Sequence, residues 1–137
     1  MKRKEFFLYM MGFAGFGWLI PASLKKQGLK EYTLYEGWVA GYFYYDGPEI
    51  EQYLRNGQPL QLRREPGNRY DNRAIEIFTG PHKLGYIPKI DNHVLARLMD
   101  HGAQLKAEIA DVDTDRAIWK YERLKVRVWM DSDTAIT

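Results

Sequence analysis

The sequence predicts a mostly-β domain: a small barrel of the OB or SH3 kind, with about six strands and one or two short helices, preceded by an apolar N-terminal segment. Short runs that alternate apolar and polar residues recur along the chain, each bounded by Gly, Pro, Asn or Asp. These runs do not alternate with helical stretches, which argues against a doubly wound parallel sheet. One definite helical stripe is present, enough to plug one end of a barrel.

The first run, Leu34 to Tyr45 (LYEGWVAGYFYY), is rich in β-branched and aromatic residues. Read as a strand, it places Trp38, Ala40, Tyr42 and Tyr44 on one face and Val39, Gly41, Phe43 and Tyr45 on the other. Asp46-Gly47-Pro48 stops it. Pro48 to Arg55 reads as a short helix with Pro at its first position and Asn56-Gly57 past its end. Pro59 to Glu65 alternates, with Leu60 and Leu62 inward, and Pro66-Gly67-Asn68-Arg69 turns the chain. Ala74 to Phe78 and Lys83 to Ile87 form two further strands about the turn Thr79-Gly80-Pro81-His82. Asp91 is placed to cap a helix that runs to about Asp100, with Val94, Leu95, Leu98 and Met99 as its apolar stripe and Gly102 as its left-handed terminus. Gln104 to Val112 and Tyr121 to Met130 complete the set, linked through Asp113-Thr114-Asp115.

The N-terminus has a different character. Lys2, Arg3 and Lys4 precede an almost wholly apolar run, Phe6 to Ala22. A basic start and an apolar stretch of this length fit a secretory signal or a short membrane anchor, through which Phe6 to Ala22 would contact a membrane. The run is shorter than the roughly 20 residues of a comfortable span, and Ile20-Pro21-Ala22-Ser23 is a poor cleavage site. Arg3 to Leu8 resembles a degenerate twin-arginine export motif, with Lys4 at the second arginine. A segment docked on the barrel is the other reading, although Gly12, Gly15 and Gly17 weaken any water-soluble helix here. The organisation is therefore an apolar segment over residues 1–30, a barrel over 34–130 and a tail over 131–137.

Composition narrows the chemistry. The 137 residues suffice for one domain with its own core. The absence of cysteine excludes disulfides, thiol catalysis and thiolate metal sites. The three histidines have no metal-ligand spacing, and no phosphate loop or nucleophilic serine motif exists, so no catalytic residue, cofactor or metal is assigned. A net charge of +2 does not by itself indicate a nucleic-acid partner. Between Leu60 and Ile90, however, six cations stand against three anions.

The densest chemistry lies in Arg63-Arg64-Glu65-Pro66-Gly67-Asn68-Arg69-Tyr70-Asp71-Asn72-Arg73. Turn-making alone accounts for Asn68 and Asp71. Tyr70 between them is less expected. An Asp beside a Tyr is able to accept a hydrogen bond from a sugar hydroxyl while the ring stacks on a base. A carboxylate suits a terminal hydroxyl better than a phosphate.

The run RREPGNRYDNRAIEI, followed by KLGYIPK and the helix VLARLMDHG, resembles the HIRAN domain in its stand-alone bacterial form, as does the preceding Gly41-Tyr42-Phe43-Tyr44-Tyr45. The resemblance covers roughly residues 36–130. It implies a modified OB-type barrel that binds nucleic acid without catalysis and, as in the best understood members, takes the free 3′ end of single-stranded DNA. By position, Asp71 would bind the terminal 3′-hydroxyl, Tyr70 would pack on the last nucleotide and Asn68 would help hold the end. Tyr44 and Tyr45 match a tyrosine pair in the pocket wall, Tyr86 and Lys89 match base and phosphate contacts, and Trp119 matches a late stacking aromatic. Phe43 stands where DNA-binding members carry an arginine, and Arg69 is the candidate replacement. The alternative is a periplasmic or membrane-attached module that reuses the barrel for another ligand. The N-terminal pattern points to export or membrane attachment, whereas a DNA ligand points to the cytoplasm.

Overall fold

The computed structural model describes residues 32–114 and 122–130. The expectations for residues 1–30, for Trp119 and for the tail lie outside the described residues. Among those described, no helix is long and apolar enough to cross a membrane.

Six strands form: β1 (Thr33–Trp38), β2 (Pro59–Arg64), β3 (Ile75–Thr79), β4 (His82–Tyr86), β5 (Leu105–Val112) and β6 (Leu124–Met130). Two short helices join them, α1 (Gly47–Ile50) and α2 (His93–Asp100). Every strand pair is antiparallel, in the order β1-β6-β5-β2-β3-β4. This is the mostly-β barrel that the alternating runs predict. Alternation turns Ile75 and Ile77 of β3, Ala107 and Ile109 of β5, and Leu124, Val126 and Val128 of β6 into one core. Leu84 of β4 and Leu95 of α2 close it. Each of these Val, Leu and Ile side chains contributes roughly 1.5–3 kcal/mol by leaving water.

The sheet curls until its two edges touch. Past the end of β1, Ala40 and Tyr86 of β4 exchange two backbone hydrogen bonds, of 2.8 and 2.9 Å. Gly85 permits this contact. A Cβ there would stand 2.4 Å from the Ala40 carbonyl oxygen, and its φ of +146° is unfavourable for any side chain.

Three expectations need correction. The strand expected from Leu34 to Tyr45 ends at Trp38. Gly41 turns left-handed with φ 74°, and Tyr42–Tyr44 is one 3-10 turn. The two-sided strand pattern fails with it, because Tyr42 and Val39 both enter the core. The Tyr42 hydroxyl donates to Glu51 at 2.7 Å, and Arg123 clamps the same carboxylate at 3.1 and 3.2 Å. Burial, followed by that bond, holds the Tyr42 phenol well above its usual pKa. The expected helix over Pro48 to Arg55 is instead α1 followed by a 3-10 turn, Glu51–Tyr53. At α2, Asn92 and not Asp91 occupies the cap position, and Asp91 accepts the Tyr35 hydroxyl at 3.0 Å. The buried face of α2 is Leu95 and Ala96, while Val94 points to solvent.

Candidate functional site

The segment between β2 and β3 is built by its own side chains. The Glu65 amide donates to the Ala74 carbonyl at 2.9 Å and closes the loop. Within it, Asn68 Oδ1 accepts the amides of Tyr70 and Asp71 at 2.8 and 3.0 Å. Asp71 Oδ1 in turn accepts the Arg73 amide at 2.9 Å. These side-chain bonds mimic backbone turns, which is why short polar residues are needed here. The outcome is a turn that presents the Tyr70 ring, 78% exposed, to solvent.

Two further side chains anchor this turn. Arg64 donates to the carbonyls of Ala74 (2.8 Å) and Asn72 (3.0 Å). It also pairs with Asp100 at the end of α2, at 2.9 and 3.1 Å. Arg64 is thus structural, not a free cation for a ligand. Lys89 donates to the Tyr70 carbonyl at 3.2 Å.

The wall beside the turn is a polar relay. Glu65 Oε1 accepts the Tyr86 hydroxyl at 2.6 Å and the Asn68 amide at 3.0 Å. Those two bonds hold the Glu65 carboxyl below its ordinary pKa. The Tyr86 hydroxyl accepts from Lys83 Nζ at 2.8 Å, and Lys83 also pairs with Glu76 at 3.0 Å. Lys83 Nζ stands over both the Tyr45 and Tyr86 rings, at 4.4 and 4.2 Å from their centroids. The two rings meet edge to face with centroids 6.0 Å apart. Burial and the bond to Glu65 raise the Tyr86 phenol, so it is neutral over the physiological range.

Asp71 sits where turn and helix meet. Its Oδ2 accepts from Asn92 Nδ2 at 2.8 Å. Burial works to raise its pKa, but the Arg73 amide, the Asn92 amide and the charges of Lys89 and Arg73 outweigh it, and the carboxyl stays below its usual value. An ionised carboxylate offers about four acceptor positions. Two are occupied, leaving capacity for a hydroxyl donor.

The structure therefore brings together Asn68, Tyr70, Asp71, Tyr86 and Lys89, with Tyr45 against Tyr86. Arg69 lies on the same turn, its guanidinium 5.6 Å from the Tyr70 ring centroid. Tyr44 is next to Tyr45 in the chain but is 79% exposed and takes no part in the relay. Phe43 is half-exposed, and the Arg123 guanidinium 5.5 Å from its ring is engaged by Glu51. Among the described residues, no cluster of His, Asp or Glu is suited to a metal ion.

Sequence reasoning missed Glu65, Lys83 and Asn92. Lys83 and Tyr86 are three apart, which on a regular strand puts them on opposite faces. An irregularity opposite Ile77 and Phe78 adds one residue to β4 and returns them to the same side. Glu65 carries a local signal, since it immediately precedes the Pro66-Gly67 turn. Asn92 carries none beyond helix capping.

The chain is similar to proteins of known structure. A crystal structure of a protein from Lactobacillus plantarum matches with a TM-score of 0.63 and 34% identity, over 72% of this chain and 93% of that one. The crystal structure of the HIRAN domain of human HLTF matches with a TM-score of 0.56 and 23% identity, over 77% of this chain and 82% of that one, which speaks to the fold alone. No curated protein matches the chain. The HIRAN domain family model matches residues 32–132, and with that match over most of its length the chain belongs to the HIRAN domain family.

Proposed function

We propose that this barrel is a non-catalytic nucleic-acid-binding module that captures the 3′ end of single-stranded DNA. Membership in the HIRAN family supports the nucleic-acid ligand. The observation that carries the end specificity is Asp71, an ionised carboxylate with unfilled acceptor positions beside the exposed ring of Tyr70. A phosphodiester offers no donor to a carboxylate and is repelled by it, whereas a terminal hydroxyl donates a charge-assisted hydrogen bond. Tyr70 supplies a stacking face for the last base, which is sequence-tolerant because every base has one. Lys89 and Arg69 would meet the backbone phosphate on the 5′ side of that nucleotide. Asn68 acts through the turn: its oxygen and its amide are both engaged inside the protein, so it shapes the site.

The test is the need for an end. The full chain is titrated with a linear single-stranded oligonucleotide and with the same oligonucleotide closed into a circle. The linear strand binds more tightly on this account. Equal affinity would show that the chain binds the backbone only. No binding to either at low salt, where electrostatic affinity is greatest, would mean that the barrel serves another ligand.

A further inference from the structure

We infer that Asn92 positions Asp71: the buried amide at the start of α2 sets the orientation of the carboxylate, and with it the preference for a terminal hydroxyl over a terminal phosphate. This rests on the end-binding function proposed above and assigns it a residue that does not touch the ligand.

Asn92 is the one fully buried polar residue among those described, at 0% exposure. Its backbone carbonyl accepts the Ala96 amide at 2.8 Å, so the helix begins there. Asparagine at such a position ordinarily turns its side-chain oxygen onto the free amides of the first turn. Here the side chain makes no capping bond. Its single polar contact is the 2.8 Å donation from Nδ2 to Asp71 Oδ2. The opposite orientation of the amide would set its oxygen against the carboxylate, so the charge on Asp71 dictates which end faces it. Asn92 Oδ1 is left without a partner. A buried amide with one end unsatisfied is unfavourable for folding. Helix capping does not explain it, and the bond to Asp71 does.

The other carboxylate oxygen is held by the Arg73 amide, two residues away on the same turn. That bond moves with the turn. The bond to Asn92 is the one that ties the carboxylate to the helix, whose Leu95 and Ala96 are packed in the core. Without it only the Arg73 amide, which belongs to the same turn, orients Asp71, and the charges of Lys89 and Arg73 act on a carboxylate no longer fixed to the helix. The repulsion that disfavours a terminal phosphate would then weaken together with the attraction for the hydroxyl.

The experiment uses Asn92→Leu, which keeps the branched shape of the side chain and has no donor, with the smaller Asn92→Ala as a second variant in case the first does not fold. Fluorescence anisotropy gives affinities for a strand ending in a 3′-hydroxyl and for one ending in a 3′-phosphate. Thermal denaturation is measured alongside. The expected result is a fall of about tenfold or more in the hydroxyl-to-phosphate preference, with affinity for the hydroxyl-ended strand lowered, affinity for the phosphate-ended strand held or raised, and a melting temperature held or raised in Asn92→Leu. A purely structural residue would lower both affinities and the melting temperature together, and that outcome overturns the inference. If the parent shows the preference, Asp71→Ala abolishes it and Asn92→Leu or Asn92→Ala retains it, the inference fails and the end-binding function stands. If the parent shows no preference, both fail.

Discussion

The Tyr86 hydroxyl donates to the Glu65 carboxylate at 2.6 Å and at the same time accepts from Lys83 at 2.8 Å. One phenol thus joins the end of β2 to β4 and holds the wall of the site against the turn. Tyr86→Phe removes both bonds with little change in volume. Hydrogen bonds to charged groups contribute about 1.5–3 kcal/mol each, less where water reaches them. A loss of about 1–3 kcal/mol in urea denaturation is expected. Coupling between Tyr86→Phe and Glu65→Gln in a double-mutant cycle is expected to be clearly non-zero, and additive effects would contradict the relay.

Closure of the barrel makes a separate demand. Gly85→Ala places a methyl group against the Ala40 carbonyl oxygen at a φ of +146°. The expected cost is about 2–4 kcal/mol, the sum of overpacking and backbone strain. Gly67→Ala, where a Cβ meets nothing within 4 Å, is the control and should melt with the parent. Equal melting of all three proteins would show that the Ala40–Tyr86 bridge does not hold the sheet edges.

Acid sensitivity has a fixed sign. Glu65 and Asp71 both lie below their ordinary values of 4.5 and 3.8 in the folded protein. Groups lowered by folding stabilise at pH above the unfolded value, and that contribution disappears as pH falls through the folded one. Melting temperature should therefore decline below about pH 4.5. In Glu65→Gln the decline should be shallower, and an unchanged slope would show that the Tyr86 and Asn68 bonds do not favour the ionised form.

Arg69 tests the missing cation. Phe43 stands where the resemblance implies an arginine, and the Arg123 beside it is engaged by Glu51. Arg69, exposed on the site turn, is proposed to replace it. Arg69→Ala should weaken DNA binding and lower the salt dependence by about one counterion. Binding equal to the parent at all salt concentrations would remove Arg69 from the site.

The barrel was legible because burial of one face imposes a period of two on strands such as Ile75–Thr79 and Leu124–Met130. The turn at Asn68 to Asp71 was legible because its hydrogen bonds are local. The region from Val39 to Tyr45 was not. Its composition favours a strand, yet Gly41 and the long-range bond from Tyr42 to Glu51 win over propensity. Lys83 was hidden by the extra residue in β4, and Asn92 by a partner 21 positions away. Contacts of that kind depend on topology, which no local pattern encodes.

The most direct test of the central claim is fluorescence anisotropy of the full chain with short single-stranded DNA. A free 3′-hydroxyl is compared with a 3′-phosphate, and Asp71→Ala is the control. The account expects tight binding of the hydroxyl end, weaker binding of the phosphate end, and loss of the difference in Asp71→Ala. Equal binding of both ends by the parent, or a preference that survives Asp71→Ala, would contradict it.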